Sequence, residues 1–161
     1  MKTLTGMDFA PSATAQDAAV TVSGGETFGK AGHPVSPLFV LKNATEELGR
    51  YGDGTCGFGA IRTGQAESIF YGSYSLELPT LRQIAGRAGV HIYSSSGDPM
   101  EANDAFVTLH ARFAGKKTIR LPKRATVYDV FGRREVAKDV TAFDFDAPLH
   151  SSWLFYIKCG E

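Results

Sequence analysis

From Val107 onward the chain alternates. Val107, Leu109, Ala111 and Phe113 are interleaved with Thr108, His110 and Arg112, the period of two that lines one face of a strand with apolar side chains. Ala114-Gly115-Lys116-Lys117 predicts a hairpin turn, and Thr118 to Leu121 its return strand, stopped by Pro122. Further short strands are predicted over Thr126 to Phe131, Glu135 to Val140, Ala142 to Phe145 and Trp153 to Ile157. Turn residues at such short intervals point to a sandwich or barrel, so residues 99–161 are expected to form an antiparallel β-sandwich domain.

The first half reads differently. Residues 1–23 are small and polar and are expected to be a flexible N-terminal segment. Leu38-Phe39-Val40-Leu41 predicts a short buried strand, and Phe58 to Arg62 and Ser68 to Tyr71 predict two more, joined by a turn at Thr63-Gly64-Gln65. Glu46 to Tyr51 fits a helical turn or a strand equally well. The clearest helix starts at Pro79, which suits a first helical position. Leu81, Ile84, Ala85 and Ala88 share one face, and Gly89 ends it. Val90-His91-Ile92-Tyr93 then predicts a strand, which would complete a βαβ unit with a parallel sheet. The fold class expected is α+β: a small partial α/β domain over 24–98 with one main helix, then the β domain.

Lys+Arg and Asp+Glu both number 17. A chain without net charge has no long-range field to draw it to nucleic acid or an anionic membrane, and neither partner is expected. No apolar run approaches a membrane span. Met1 to Val22 lacks the compact apolar centre of a signal peptide, which fits a cytoplasmic chain or a mature secreted one. Cys56 and Cys159 are expected to be free thiols.

Few constellations carry chemistry. No H-E-x-x-H, C-x-x-C, G-x-S-x-G or phosphate-binding glycine loop is present, so no metal or cofactor is expected. Asp98, Glu101 and Asp104 read as a solvated linker. Glycosidic hydrolysis needs two carboxyl groups flanking the bond. The candidates are Glu67, just before a strand, Glu77, just before the helix, and Asp53, in a turn. Sugar rings stack their C–H faces on exposed aromatic rings; Tyr71 and Tyr74, which flank Gly72, and Trp153 are the candidates for that role. Trp153 also shares a strand face with Phe155 and Ile157, the arrangement of a core.

A running pattern through the chain resembles a known family. It comprises Leu78 to Tyr93, Gly97-Asp98 with Ala102-Asn103, Thr108-Leu109-His110-Ala111, Gly115 to Pro122 and Val127 to Phe131, with Phe28-Gly29-Lys30 to Phe39 and Ile69-Phe70-Tyr71-Gly72 before it. Together they resemble the C-terminal region of β-galactosidase-like glycoside hydrolases related to family 42. The resemblance implies part of a flavodoxin- or amidotransferase-like trimerisation domain and then a terminal β domain. The family's catalytic barrel has no counterpart here, and its acid/base and nucleophile glutamates map onto no residue of this chain. The resemblance therefore implies a non-catalytic accessory or oligomerisation module, homo-oligomeric and able to bind a carbohydrate. The alternatives are a small glycoside hydrolase acting on plant or microbial polysaccharide, and a purely structural β module.

Overall fold

The computed structural model describes residues 2–160. With 54% of the chain in strands and 9% in helices, the fold is a β-rich α+β fold. Contacts divide it into two compact units, the first ending at Ile84 and the second beginning at Ala85.

The first unit contains α1 (Lys2–Thr5), β1 (Phe9–Pro11), β2 (Gln16–Val22), β3 (Thr27–Val35), β4 (Phe39–Leu41), β5 (Glu46–Arg50), β6 (Cys56–Thr63) and β7 (Ala66–Tyr71). A five-stranded sheet runs in the order β3-β2-β5-β6-β7, and β1 and β4 form a separate two-stranded ribbon. Every pairing is antiparallel. Strand β6 is buried on both faces: Phe58 and Ala60 pack with Ala18, Val20 and Leu48, while Cys56 and Ile61 pack with Met7 and Leu41. Two residues of that first cluster, Ala18 and Val20, lie in the segment expected to be flexible. Their alternation with Asp17, Ala19 and Thr21 gives β2 one core face, which ties it into the sheet.

Tyr51 organises the end of this sheet. Its ring is 3% exposed, and its O–H donates to the Phe39 carbonyl at 3.1 Å. A Cβ on Gly57 would come within 2.8–2.9 Å of the ring, and one on Gly72 would overlap the hydroxyl. Both positions therefore need glycine because the ring occupies the space of their side chains.

Helix α2 (Leu78–Arg87) starts and stops where expected; Gly89 takes φ 71° after its last turn. Its buried face differs. Thr80 is buried and Ile84 packs on the Phe58 cluster, but Leu81 is 47% exposed and Ala88 is exposed. The cause is polar. Glu77, one turn ahead of Thr80 and two ahead of Ile84, is anchored by hydrogen bonds to Gly29 and Tyr71, so the 77-80-84 stripe faces the sheet. Residues 90–93 form no strand. The Tyr93 carbonyl instead accepts from Arg120 N–H at 2.8 Å, and His91 Nε2 meets the Arg120 carbonyl at 2.9 Å. The expected parallel βαβ unit is therefore not formed.

The second unit contains β8 (Met100–Ala102), β9 (Phe106–His110), β10 (Gly115–Asp129), β11 (Arg134–Ala147) and β12 (Ser152–Cys159), in the sheet order β11-β10-β12-β9-β8. The expected hairpin between 107–113 and 118–121 does not form, because β9 pairs with β12 and β8 instead. Strand β10 runs on through Pro122. A register shift between Arg120 and Ala125 absorbs that residue, which has no N–H to give the ladder. The outer halves of β10 and β11 bring Ile119 and Phe143 onto the core of Val107, Leu109, Val127, Phe155 and Ile157. Phe143 meets Phe155 edge-on at 4.9 Å, although their strands are not neighbours in the sheet.

Gly72→Ala is expected to destabilise the protein by about 1–3 kcal/mol through overpacking against Tyr51. Gly24→Ala, where a Cβ meets nothing within 4 Å, should stay within about 0.5 kcal/mol. Urea denaturation of the two variants measures the difference.

Candidate functional site

Glu67 does not converge with Glu77. Glu67 lies opposite Arg62 in the β6–β7 ladder and pairs with its guanidinium at 3.3 Å. Tyr71, four residues further along β7, lies opposite Phe58. Four residues of strand span about 13 Å, more than the roughly 5–9.5 Å between the carboxyl groups of a glycosidase. Glu77 belongs to the Tyr71 end: Oε2 accepts from Tyr71 O–H at 2.8 Å, and Oε1 accepts from Ser75 O–H at 2.6 Å and Gly29 N–H at 3.0 Å. Burial alone would raise its pKa, but these donors outweigh it and hold the carboxyl below its ordinary value. Tyr71 moves the other way: burial, then its bond to Glu77, pushes the phenol up to about 12.

Asp53 sits in the turn before β6, where Thr55 N–H, Thr55 O–H and Gln16 Nε2 all donate to it. Those donors outweigh partial burial and lower its pKa as well. A general acid needs the opposite shift. Glu77 and Asp53 thus have the environment of structural hydrogen-bond acceptors.

The candidate aromatics separate similarly. Tyr71 is half-buried, edge-on to Phe58 at 5.3 Å. Tyr74 is exposed and borders a shallow groove with Val35, Phe39 and Phe70. Trp153 is half-buried, stacked on Phe155 at 5.9 Å and tilted against Phe145 at 4.9 Å, with its indole N–H donating to Ser151 Oγ at 2.9 Å.

Asp98 is not a solvated linker residue. Its carboxylate pairs with Lys117 at 2.8 Å, with the two side chains 0% and 6% exposed, and also accepts from Arg112 N–H at 2.9 Å. Burial opposes ionisation, yet Lys117 and the other donors hold its pKa below the usual carboxylate range. Among the described residues no group of three His, Cys, Asp or Glu side chains is placed to hold a metal ion. Cys56 is a buried free thiol and Cys159 an exposed one.

The arrangement best suited to recognition lies on the outer face of the second unit's sheet. Because Val107, Val127, Phe155 and Ile157 point into the core, the pleat turns Phe106, Tyr128 and Tyr156 outward. Register brings them into one row across three strands: Phe106 of β9 faces Tyr156 of β12, which faces Tyr128 of β10. Ring centroids are 5.5 Å apart with a 49° tilt in the first pair, and 6.3 Å apart with a 31° tilt in the second. Phe106 is 39% exposed and Tyr156 38%. The Glu135 carboxylate stands beside Tyr128 at one end of the row.

Next to the row on the same face come Thr108 and Leu154, then His110 and Ser152, which are joined by a 2.9 Å hydrogen bond. These residues border a groove of about 560 Å³ that also takes in Pro99, Met100 and the exposed Phe131. Rings, hydroxyls and an imidazole therefore form a continuous surface, and Glu101, opposite Thr108 on β8, also lines the groove. This row was absent from the sequence candidates. Its signal was present in part: if Phe155 and Ile157 face the core, Tyr156 must face away. What the sequence lacked was the pairing that aligns Tyr156 with Phe106 and Tyr128.

Glu77→Gln is expected to cost about 1–3 kcal/mol, since an amide meets three donors with only one acceptor oxygen. With its native pKa lowered, ionised Glu77 contributes stability above its unfolded pKa, and that contribution is lost as pH falls through the native value. The variant should therefore approach wild type in stability below about pH 4. Thermal unfolding across pH 3–7 measures this.

No protein-family model, curated protein or solved structure matched the chain in comparison.

Proposed function

We propose that this chain is a non-catalytic accessory module of a glycoside-hydrolase-like protein that binds carbohydrate through the outer face of its second unit. The observation that carries this reading is the row Phe106–Tyr156–Tyr128, exposed at Phe106 and Tyr156 and half-buried at Tyr128, beside a hydroxyl-lined groove. Aromatic rings offer an apolar surface to the C–H faces of pyranose rings, and Tyr O–H, Thr108, Ser152 and His110 offer hydrogen bonds to sugar hydroxyls. A neutral ligand also suits a chain with no net charge. The distance of Glu67 from the Tyr71–Glu77 end, and the donor-satisfied settings of Glu77 and Asp53, favour this reading over a hydrolase. The β-sandwich expected over 99–161 is an architecture suited to such a module, and the contact of Phe143 with Phe155 supports it.

Affinity electrophoresis in gels containing soluble β-glucan, xylan or galactan tests the reading. Retardation by at least one polysaccharide is expected, with no release of reducing sugar. Unretarded migration in all of them, together with no pull-down on insoluble polysaccharide, overturns it.

Assembly is a second part of the proposal, and it rests on the first unit. Tyr74, Leu76, Leu78 and Leu81 leave large apolar side chains exposed over eight residues, a density that marks protein contact surfaces. Sedimentation equilibrium at micromolar concentration should give a mass above 17.3 kDa. Leu78→Asp with Leu81→Asp should return it to that value without unfolding the chain, because neither side chain is buried.

A further inference from the structure

The tilts within the aromatic row bear on which form of carbohydrate it can hold. We infer that the Phe106–Tyr156–Tyr128 row takes a single extended glycan chain in solution, running across the strands with Tyr156 under its middle sugar, and not the flat face of a crystalline polysaccharide. This inference rests on the carbohydrate-binding reading of the same face.

Three features of the row lead to it. First, the rings are not coplanar: the planes turn by 49° between Phe106 and Tyr156 and by 31° between Tyr156 and Tyr128. Sheet twist rotates each strand against its neighbour by about 20–25°, so side chains on one rung of successive strands cannot lie in one plane unless their rotamers compensate. A rigid flat surface would rest on one ring and miss the others. A single chain can rotate about its glycosidic bonds and follow the turn. Second, the centroid spacings of 5.5 and 6.3 Å are about one sugar ring wide, so consecutive sugars can each meet a ring.

Third, the row is walled. Lys158, paired with Thr126 two rungs away, comes after Tyr156 on the same face of β12 and is exposed. Glu135 stands at the β11 end. The exposed Phe131 borders the groove beyond Thr108 and Leu154. Lys158 on one flank and Phe131 on the other leave a channel for one chain along the row and stand in the way of an extended flat surface. The groove side offers Thr108, Ser152 and His110, whose hydroxyls and imidazole can reach the hydroxyls along one edge of that chain.

The test compares soluble and crystalline ligands with the full chain. Isothermal titration with soluble β-glucan, xylan and galactan, and with their tri- to hexasaccharides, is run beside pull-down on microcrystalline cellulose and crystalline chitin. Saturable binding to a soluble chain is expected, strengthening up to about three sugars, with no retention on either crystalline material. Tyr156→Ala should weaken that binding at least about tenfold, the scale of one lost aromatic contact, and Phe106→Ala should weaken it less. Tyr156→Phe keeps the ring and should retain most of the affinity. Phe113→Ala, which removes an exposed ring outside the face, should leave it unchanged. Circular dichroism checks that each variant is folded.

Retention on crystalline material without binding to soluble chains overturns this inference and leaves carbohydrate binding standing. Binding to neither overturns both. Soluble binding that survives Tyr156→Ala, or a Tyr156→Ala change that instead dissociates an oligomer, assigns the row another role and overturns the inference.

Discussion

A tyrosine ring laid against bare backbone constrains everything around it. Tyr51 fills the space where Gly57 and Gly72 would carry side chains, and its hydroxyl is fixed to the Phe39 carbonyl. One side chain thereby ties the end of β5 to β6, to the residue after β7 and to the β1–β4 ribbon. Partial burial by the same neighbours, with Cys56 and Asp53 nearby, pushes its phenol up to about 12, so it remains a neutral donor over the ordinary range of pH. Gly72 sits between Tyr71 and Ser73, and the segment after it carries Ser75 and Glu77 into place. The placement of α2 thus depends on the same close approach.

Polar anchoring, more than apolar patterning, decides what this first unit shows to solvent. The helix has an apolar stripe through Leu81 and Ala88, and a helix free to choose would bury it. It does not, because the Glu77 carboxylate is held by a backbone N–H and two hydroxyls, and a carboxylate deprived of such donors is expensive to desolvate. Leu81, left outside, joins the exposed Tyr74, Leu76 and Leu78 in the surface on which the assembly proposal rests.

Legibility in the sequence tracked the range of the interactions involved. β6, β7 and β12 were readable because turn residues and alternation are local. The bounds of α2 were readable for the same reason, from Pro79 and Gly89. The partners were not: nothing near Val107 tells that β9 will pair with β12 and not with the strand next in sequence. The strand predicted at Val90 failed because its groups bond to Arg120, about thirty residues away. Asp98 read as solvated because its partner Lys117 is also distant in the chain. The site suffered most, since a row across three strands exists only once register is set. Alternation turns Tyr156 away from the core, but no local signal aligns it with Phe106 and Tyr128, and the carboxylates that looked promising were drawn into a turn, a ladder and, for Glu77, a bond to distant Gly29.

The strand order of the second unit has a kinetic consequence. β12 lies between β10 and β9, yet it comes after both in the chain. During synthesis, the β10–β11 hairpin can close by itself, but the β8–β9 pair has no neighbour to join until β12 has emerged. Its apolar side chains, Val107 and Leu109 among them, must wait through about forty residues of translation, a few seconds at ordinary elongation rates. Pairings between such distant segments also close slowly, since the loop entropy precedes the reward. The aromatic row, which draws one ring from each of β9, β10 and β12, is therefore among the last features of the molecule to come into being.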